Sequence, residues 1–267
     1  MEILLQDLFL HYGYDFTEYS KTSLQRRVQR LFTLDKFPSF AEFRYRLKND
    51  PHYFRRFVEE ITVNVTEMLR DPGFYKTLRA KILPVLATYP FIRIWHAGCS
   101  TGEEVYSMAI LLREAGLLHK SLLYGTDINP QVIERARSGI FPVSQMQKYS
   151  SNYLQSGGHM DFSSYYTANY DLAKFDTALA EKMIFSTHNL ASDFSFNEFQ
   201  LILCRNVLIY FERGLQTKVL NLLDSSLENF GFLALGNKES LRFSLIADRY
   251  RQFDGKEKIW RKVNEIH

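Results

Sequence analysis

IWHAGCSTGEEVY, residues 94–106, runs from an apolar strand through two glycines into a helix that opens on two carboxylates. Gly98 and Gly102 bracket the turn, where glycine lets backbone approach a ligand outside the carboxyl end of a parallel strand. Their spacing, Gly98-Cys99-Ser100-Thr101-Gly102, is not the G-x-G-x-x-G of nicotinamide enzymes. A tight strand-to-helix turn with no ligand accounts for the same glycines. Ser100 with Glu103, and Thr101 with Glu104, both have capping-box spacing, and carboxylates suit the positive end of a helix. One glutamate is enough to cap, which leaves the other free to face a pocket.

Outward from this turn, strand-like runs alternate with helical stretches. FIRIWHAG, SLLYGTDIN, EKMIFSTHN, FQLILCRN and NFGFLALGN are short and rich in β-branched and aromatic residues, the pattern of parallel strands joined by crossover helices. Leu122 to Tyr124 and Leu201 to Leu203 are apolar at consecutive positions, as in strands covered on both faces. The expected architecture is α/β, a doubly wound sheet. A polar, tyrosine-rich stretch over 139–180, containing SNYLQSGGHMDFSSYYTANYD, interrupts it and predicts an inserted hairpin or flap. Residues 1–75 instead carry helical periodicity, near 2–11, 22–34, 39–48 and 52–63. In the second of these, Leu24, Val28, Leu31 and Phe32 share one side of the wheel while Arg26, Arg27 and Arg30 share the other. Two domains are therefore expected, a helical one with its linker over 1–75 and a larger one over 76–267.

The 267 residues are 46% hydrophobic and 24% charged, the balance of an ordinary folded domain. No window offers the roughly 20 apolar residues of a membrane span, and MEILLQDLFLHYGY lacks a basic flank and a small-residue cleavage site. A cytoplasmic chain with no membrane insertion is expected. Cys99 and Cys204 read as reduced thiols. A net charge of +3 is too slight to imply nucleic acid.

The strand ends supply the candidate binding groups. Asp127 falls about 25 residues beyond the glycine turn, where a ribose-binding acid belongs, although Asp127 or Asn129 could equally cap the helix starting at Pro130. Asn189 and Asn206 end later strands with one donor and one acceptor each, or serve as turn formers. Tyr210 is either packing or a phenol aimed at substrate. Asn64, Thr66 and Arg70 sit in the segment joining the two domains. The Arg70 fork suits a carboxylate, with an interdomain ion pair as the plain alternative.

Seven blocks in order, RRVQRL, ITVNVTEMLRD, WHAGCSTGEEVYSMAI, TDINPQVIERARSGIF, HNL, CRNVLIYF and GFLALGNKESL, resemble the chemotaxis receptor glutamate methyltransferases, the CheR family, over nearly the whole chain. The resemblance implies a class I methyltransferase sheet, mostly parallel with an antiparallel edge strand, behind an all-helical domain and carrying a small inserted β subdomain. It implies S-adenosylmethionine as cofactor and S-adenosylhomocysteine as product. Asn64, Thr66, Arg70, Gly98, Glu104, Asp127, Asn189, Leu190, Asn206 and Val207 are then the cofactor residues, with Arg70 and Tyr210 at the reacting methyl or substrate carboxylate. The implied substrate is the cytoplasmic helical bundle of a chemoreceptor, attracted by Arg26, Arg27 and Arg30, with a methylesterase as counterpart, a monomeric enzyme and no metal. His96 and His188 are expected to be structural. The turn departs from the family's alanine-rich form, MLRD stands where two aromatics often precede Arg70, and the insert matches poorly. A non-catalytic scaffold is an alternative. A nucleic-acid or amide N-methyltransferase is weaker, because Asn206 is followed by Val207-Leu208-Ile209-Tyr210 rather than by prolines.

Overall fold

The computed structural model describes residues 1–62, 64–242 and 244–263. Four helices open the chain: α1 (Glu2–Tyr12), α2 (Lys21–Leu34), α3 (Phe40–Asn49) and α4 (Pro51–Ile61). The last two start where capping chemistry dictates. Ser39 accepts from the Glu42 N–H at 3.2 Å, and Asp50, just before Pro51, accepts from the N–H groups of His52 and Tyr53 at 3.0 Å. Leu24, Val28 and Leu31 of α2 meet Phe43, Leu47, Phe54 and Phe57 in one aromatic-rich core. Each such side chain contributes roughly 1.5–3 kcal/mol on full burial. Val63, the end of the fourth expected helix, lies outside the described residues.

A strap over 64–71 leads away from these helices, with Leu69 and Asp71 in the left-handed region at φ 52° and 58°. The chain continues through α5 (Pro72–Thr77), a π-helical stretch (Leu78–Ile82) and α6 (Leu83–Leu86). Next come β1 (Ile92–Ala97), α7 (Glu103–Glu114), β2 (Ser121–Asp127), α8 (Pro130–Ser138), β3 (Ile140–Pro142), α9 (Met146–Gln155), β4 (Tyr166–Asn169) and β5 (Leu172–Phe175). The remainder is α10 (Thr177–Ala180), β6 (Met183–Thr187), β7 (Phe199–Cys204), α11 (Arg213–Ser225), β8 (Leu227–Leu235), β9 (Tyr250–Asp254) and β10 (Ile259–Lys262).

Seven strands form one sheet in the order β6-β2-β1-β7-β8-β10-β9. The pairs from β6 to β8 are parallel, and at the far edge β10 runs antiparallel to both neighbours. The order reverses between β1 and β7, and such switch points are where open α/β sheets bind ligands. β7 is buried along its whole length, as the consecutive apolar residues Leu201 to Leu203 predict. Within the 139–180 insert, β3, β5 and β4 form a small antiparallel sheet.

Helix α7 starts differently from the expectation that a capping box opens it. Gly102 is its cap at φ 94°, and no side chain caps the helix. Ser100 is itself left-handed at φ 51°, which spends its N–H on Asp127 at 2.9 Å and leaves its hydroxyl buried without a partner. Thr101 donates its hydroxyl to Glu103 at 2.7 Å, so that pair meets side chain to side chain instead of closing a capping box.

Candidate active site

One cavity opens at the carboxyl ends of β1, β2, β6 and β7, roofed by the strap and the N-terminal helices. Its sheet side carries Gly98, Ser100, Glu104, Asp127, Leu190, Asn206, Val207 and Tyr210, and its strap side carries Asn64, Thr66 and Arg70. Residues scattered over 64–210 thus reach one place because every βα turn ends on the same edge of a parallel sheet.

The glycine turn is shaped for close approach. A Cβ at Gly98 would fall 2.5 Å from Cγ2 of Val207, and Gly98 sits at φ 79°, so no other residue fits. Asp127 accepts from the Ser100 N–H at 2.9 Å and the Asn129 N–H at 3.0 Å. Burial pushes its carboxyl up, against the pull of these N–H groups and that of Ile128. Asn129 separately caps α8, accepting from the Gln131 N–H at 2.9 Å, so the cap of that helix is Asn129 and not Asp127.

Glu104 is tied from two sides. His96 Nδ1 lies 2.9 Å from one carboxylate oxygen and the Arg205 guanidinium 3.4 Å from the other. Burial opposes ionisation, but these two partners prevail and hold Glu104 below the usual carboxylate range. Arg205 also donates to Asp71 at 2.7 Å and to the Arg70 carbonyl at 3.5 Å, with its guanidinium 4.0 Å from the centre of the Phe74 ring. This buried cation, which sequence reasoning passed over, knots the strap to the glycine turn. Glu239 was missed as well. Its carboxylate accepts from the N–H groups of Asn206 at 2.9 Å, Gly236 at 2.6 Å and Ile209 at 3.2 Å, holding Asn206 in the left-handed region at φ 62°. Its only signal was a carboxylate four residues past the apolar end of β8.

Several expected residues stand apart from the cavity. Asn189 lies between lining residues, but its side-chain oxygen accepts from the Ala191 N–H at 3.0 Å, the turn-former alternative. Arg26, Arg27 and Arg30 do not line the cavity, nor do they form one free basic face. Arg27 donates to the Glu60 carbonyl at 3.2 Å and Arg30 pairs with the Glu60 carboxylate at 3.6 Å, because α4 lies alongside α2. Arg26 is exposed. His96 is fully buried on Glu104; His188 is edge-on to Trp95 at 5.4 Å and lines the cavity. Cys99 and Cys204 are free and buried.

The polar groups fit a ligand that is part nucleoside and part amino acid. Ser100 Oγ and His188 Nδ1 are buried without partners at the cavity wall, Asp127 suits a diol, and the Glu104 carboxylate suits an amine. A sheet of this order with an acid after its second strand and a glycine turn after its first defines a class I S-adenosylmethionine-dependent methyltransferase. Residues 64–259 match the family described as "CheR methyltransferase, SAM binding domain", and residues 1–62 match "CheR methyltransferase, all-alpha domain". The chain belongs to the CheR methyltransferase family, and its cofactor is S-adenosylmethionine. It is 44% identical over 264 residues to "Putative methyltransferase Cher3" of Pseudomonas putida, covering 98% of this chain and 96% of that one. It is 31% identical to the "Chemotaxis protein methyltransferase" of Listeria innocua over 86% of this chain and 85% of that one. "Chemotaxis protein methyltransferase 2" of Pseudomonas aeruginosa is 29% identical over 85% of this chain and 81% of that one. Among the described residues, no helix is long and apolar enough to cross a membrane.

Proposed function

We propose that the chain transfers the methyl group of S-adenosylmethionine to glutamate side chains of a chemoreceptor's cytoplasmic helical bundle, forming methyl esters. The observation that carries this reading is the pairing of a guanidinium, Arg70, with a phenol, Tyr210, on the wall of the cofactor cavity. Such a pair suits a carboxylate nucleophile. When bound, the cofactor supplies an electrophilic methyl on a sulfonium, whose carbon–sulfur electron pair stays with sulfur as the carboxylate oxygen bonds to the methyl. A glutamate with an ordinary pKa near ~4.3 is already ionised at neutral pH, so no general base is required.

The residues then orient, and holding one carboxylate oxygen in line can supply roughly 7–11 kcal/mol of the barrier. Arg70, whose guanidinium donates to the Val65 carbonyl at 3.3 Å, holds the carboxylate from the strap side. Tyr210 faces it from the 3-10 turn Leu208–Tyr210 that follows β7; burial pushes its hydroxyl up while Arg27 and Arg70 pull it down, and it remains a neutral donor at physiological pH. Asp127 takes the ribose, Glu104 the amino group, and Asn64, Thr66, Gly98, Leu190, Asn206 and Val207 the rest of the cofactor. The turn engages the Asn189 side chain, its N–H on Asp193 at 2.8 Å and its carbonyl, which leaves adenine to the flanking His188 and Leu190 on the cavity wall. Arg26, Arg27 and Arg30 lie on the helix that supplies Ser23 and Leu24 to the cavity, and Arg27 is near enough to act on Tyr210; these charges attract an acidic substrate helix. The enzyme works in the cytoplasm as a monomer, opposed by a methylesterase, with its helical domain and linker over 1–75 and its catalytic domain over 76–267.

Incubation with methyl-labelled cofactor and receptor fragments tests this. Base-labile label on a glutamate is expected, because esters hydrolyse in alkali where N-methyl groups do not. Failure to label any receptor of the same organism would overturn the substrate assignment.

A further inference from the structure

The cavity has one wall that the sheet does not make. Tyr19, Ser20, Ser23 and Leu24 line it from the N-terminal helical unit, and Tyr19 is held there from both sides. Its ring meets Phe16 edge-on at 5.2 Å and Phe211 at 5.0 Å. Its backbone forms an isolated antiparallel bridge with Phe211, and the next N–H, of Ser20, donates to the Tyr210 carbonyl at 2.8 Å. Ring and backbone are therefore fixed, yet the hydroxyl has no hydrogen-bond partner among the described residues. A phenol clamped this firmly with its polar end open to a cavity is placed for a ligand.

The ligand half it would meet follows from its neighbours. Asp127 lines the same cavity, and Ile128, next in the chain, packs with Tyr19 on the aromatic core of the helical unit. Burial, followed by the charges of Asp127 and Asp15, pushes the Tyr19 hydroxyl well up, which keeps it a neutral donor. A carboxylate can only accept, so Asp127 takes the hydroxyl protons of a diol. The diol oxygens and the base nitrogens still need a donor.

We propose that Tyr19 contacts the adenosyl half of the cofactor, its hydroxyl donating beside the ribose held by Asp127, so that the N-terminal unit is part of the cofactor site. The assignment rests on cofactor binding alone and stands whatever the methyl acceptor proves to be. Only a hydroxyl is lost in Tyr19→Phe, while the ring keeps its contacts with Phe16 and Phe211. Titration calorimetry should show S-adenosylhomocysteine and 5′-methylthioadenosine, which shares the adenosyl half and lacks the amino acid, weakened by the same factor. That factor should be roughly 2- to 12-fold, the span of a neutral hydrogen bond, with the ligand-free thermal midpoint unchanged. Unaltered affinity for both ligands overturns the proposal, as does a loss confined to S-adenosylhomocysteine. A second measurement repeats the comparison in an Asp127→Asn background, where Tyr19→Phe is expected to cost less because the ribose is no longer fixed against the phenol. An equal cost in both backgrounds overturns the shared site.

Discussion

Glu103 and Glu104 are neighbours in sequence and opposites in electrostatics. Glu103 is buried, and burial raises it against the pull of the Thr101 hydroxyl at 2.7 Å, its own backbone N–H and the Tyr149 hydroxyl at 3.5 Å. Burial also works against Glu104, but His96 and Arg205 reverse the sign and lower it. The folded state therefore favours neutral Glu103 and ionised Glu104. For Glu104, the stability gained is present above its ordinary 4.5 and is lost as the pH falls through the lower folded value. For Glu103, it is present below 4.5 and is lost as the pH rises through the higher folded value. Glu103→Gln, which keeps an acceptor for both hydroxyls, should raise the thermal midpoint at pH 8 by more than at pH 5. Glu104→Gln should lower it at pH 8, with the deficit shrinking toward pH 4. Scanning calorimetry of both variants across this range gives the check, and parallel pH dependences would contradict the opposed environments.

At the scale of elements, the strap over 64–71 is built to be held by others. It has left-handed residues at Leu69 and Asp71, a conformation that costs a non-glycine residue of order 1 kcal/mol or more, so its shape depends on what grips it. Ser107 of α7 accepts from the Leu69 N–H at 2.9 Å, and Arg205 grips Arg70 and Asp71. From the insert, Asn152 of α9 donates to the Met68 carbonyl at 2.9 Å and Lys148 pairs with Glu67. The insert thereby positions Thr66 and Arg70 without touching the cavity. Asn152→Ala removes one hydrogen bond, worth about 0.5–1.5 kcal/mol. It should quicken amide exchange across 64–71 and weaken S-adenosylhomocysteine severalfold, while exchange in β1 and β7 stays as it was. Unchanged exchange in the strap would leave α9 no part in the site.

Across the whole molecule, what the sequence made legible is what rests on short-range pattern. β1, β2, β6, β7 and β8 are short runs rich in β-branched and aromatic residues, and the four N-terminal helices have the 3.6-residue stripe, so both were readable. Groups whose meaning depends on distant partners were not. Arg205 reads as one more charge until the fold brings Asp71, Glu104 and Phe74 around it, and Asn189 reads as a ligand group until its turn uses the side chain. β9 and β10, half-exposed and charged at YRQFD and IWRK, were not read as separate strands. The same dependence on distant partners governs how the two units behave. They meet through the Tyr19 to Phe211 bridge, the Glu212 N–H on the Glu18 carbonyl at 2.8 Å and the Arg135 to Glu59 pair at 2.7 Å, and both line the cofactor cavity. A ligand seated there stabilises only the docked arrangement, by RT ln(1 + [L]/Kd), or about 2.7 kcal/mol at a hundredfold excess over Kd. Hydrogen exchange with S-adenosylhomocysteine at that excess should therefore slow in α2 and at the end of α4 as well as at the ends of β1, β2 and β7. Glu59→Arg, which sets two like charges face to face on the exposed rim, should reduce the slowing in α2 and α4 more than in the strands. Protection confined to the strand ends would mean that the helical unit docks independently of the cofactor.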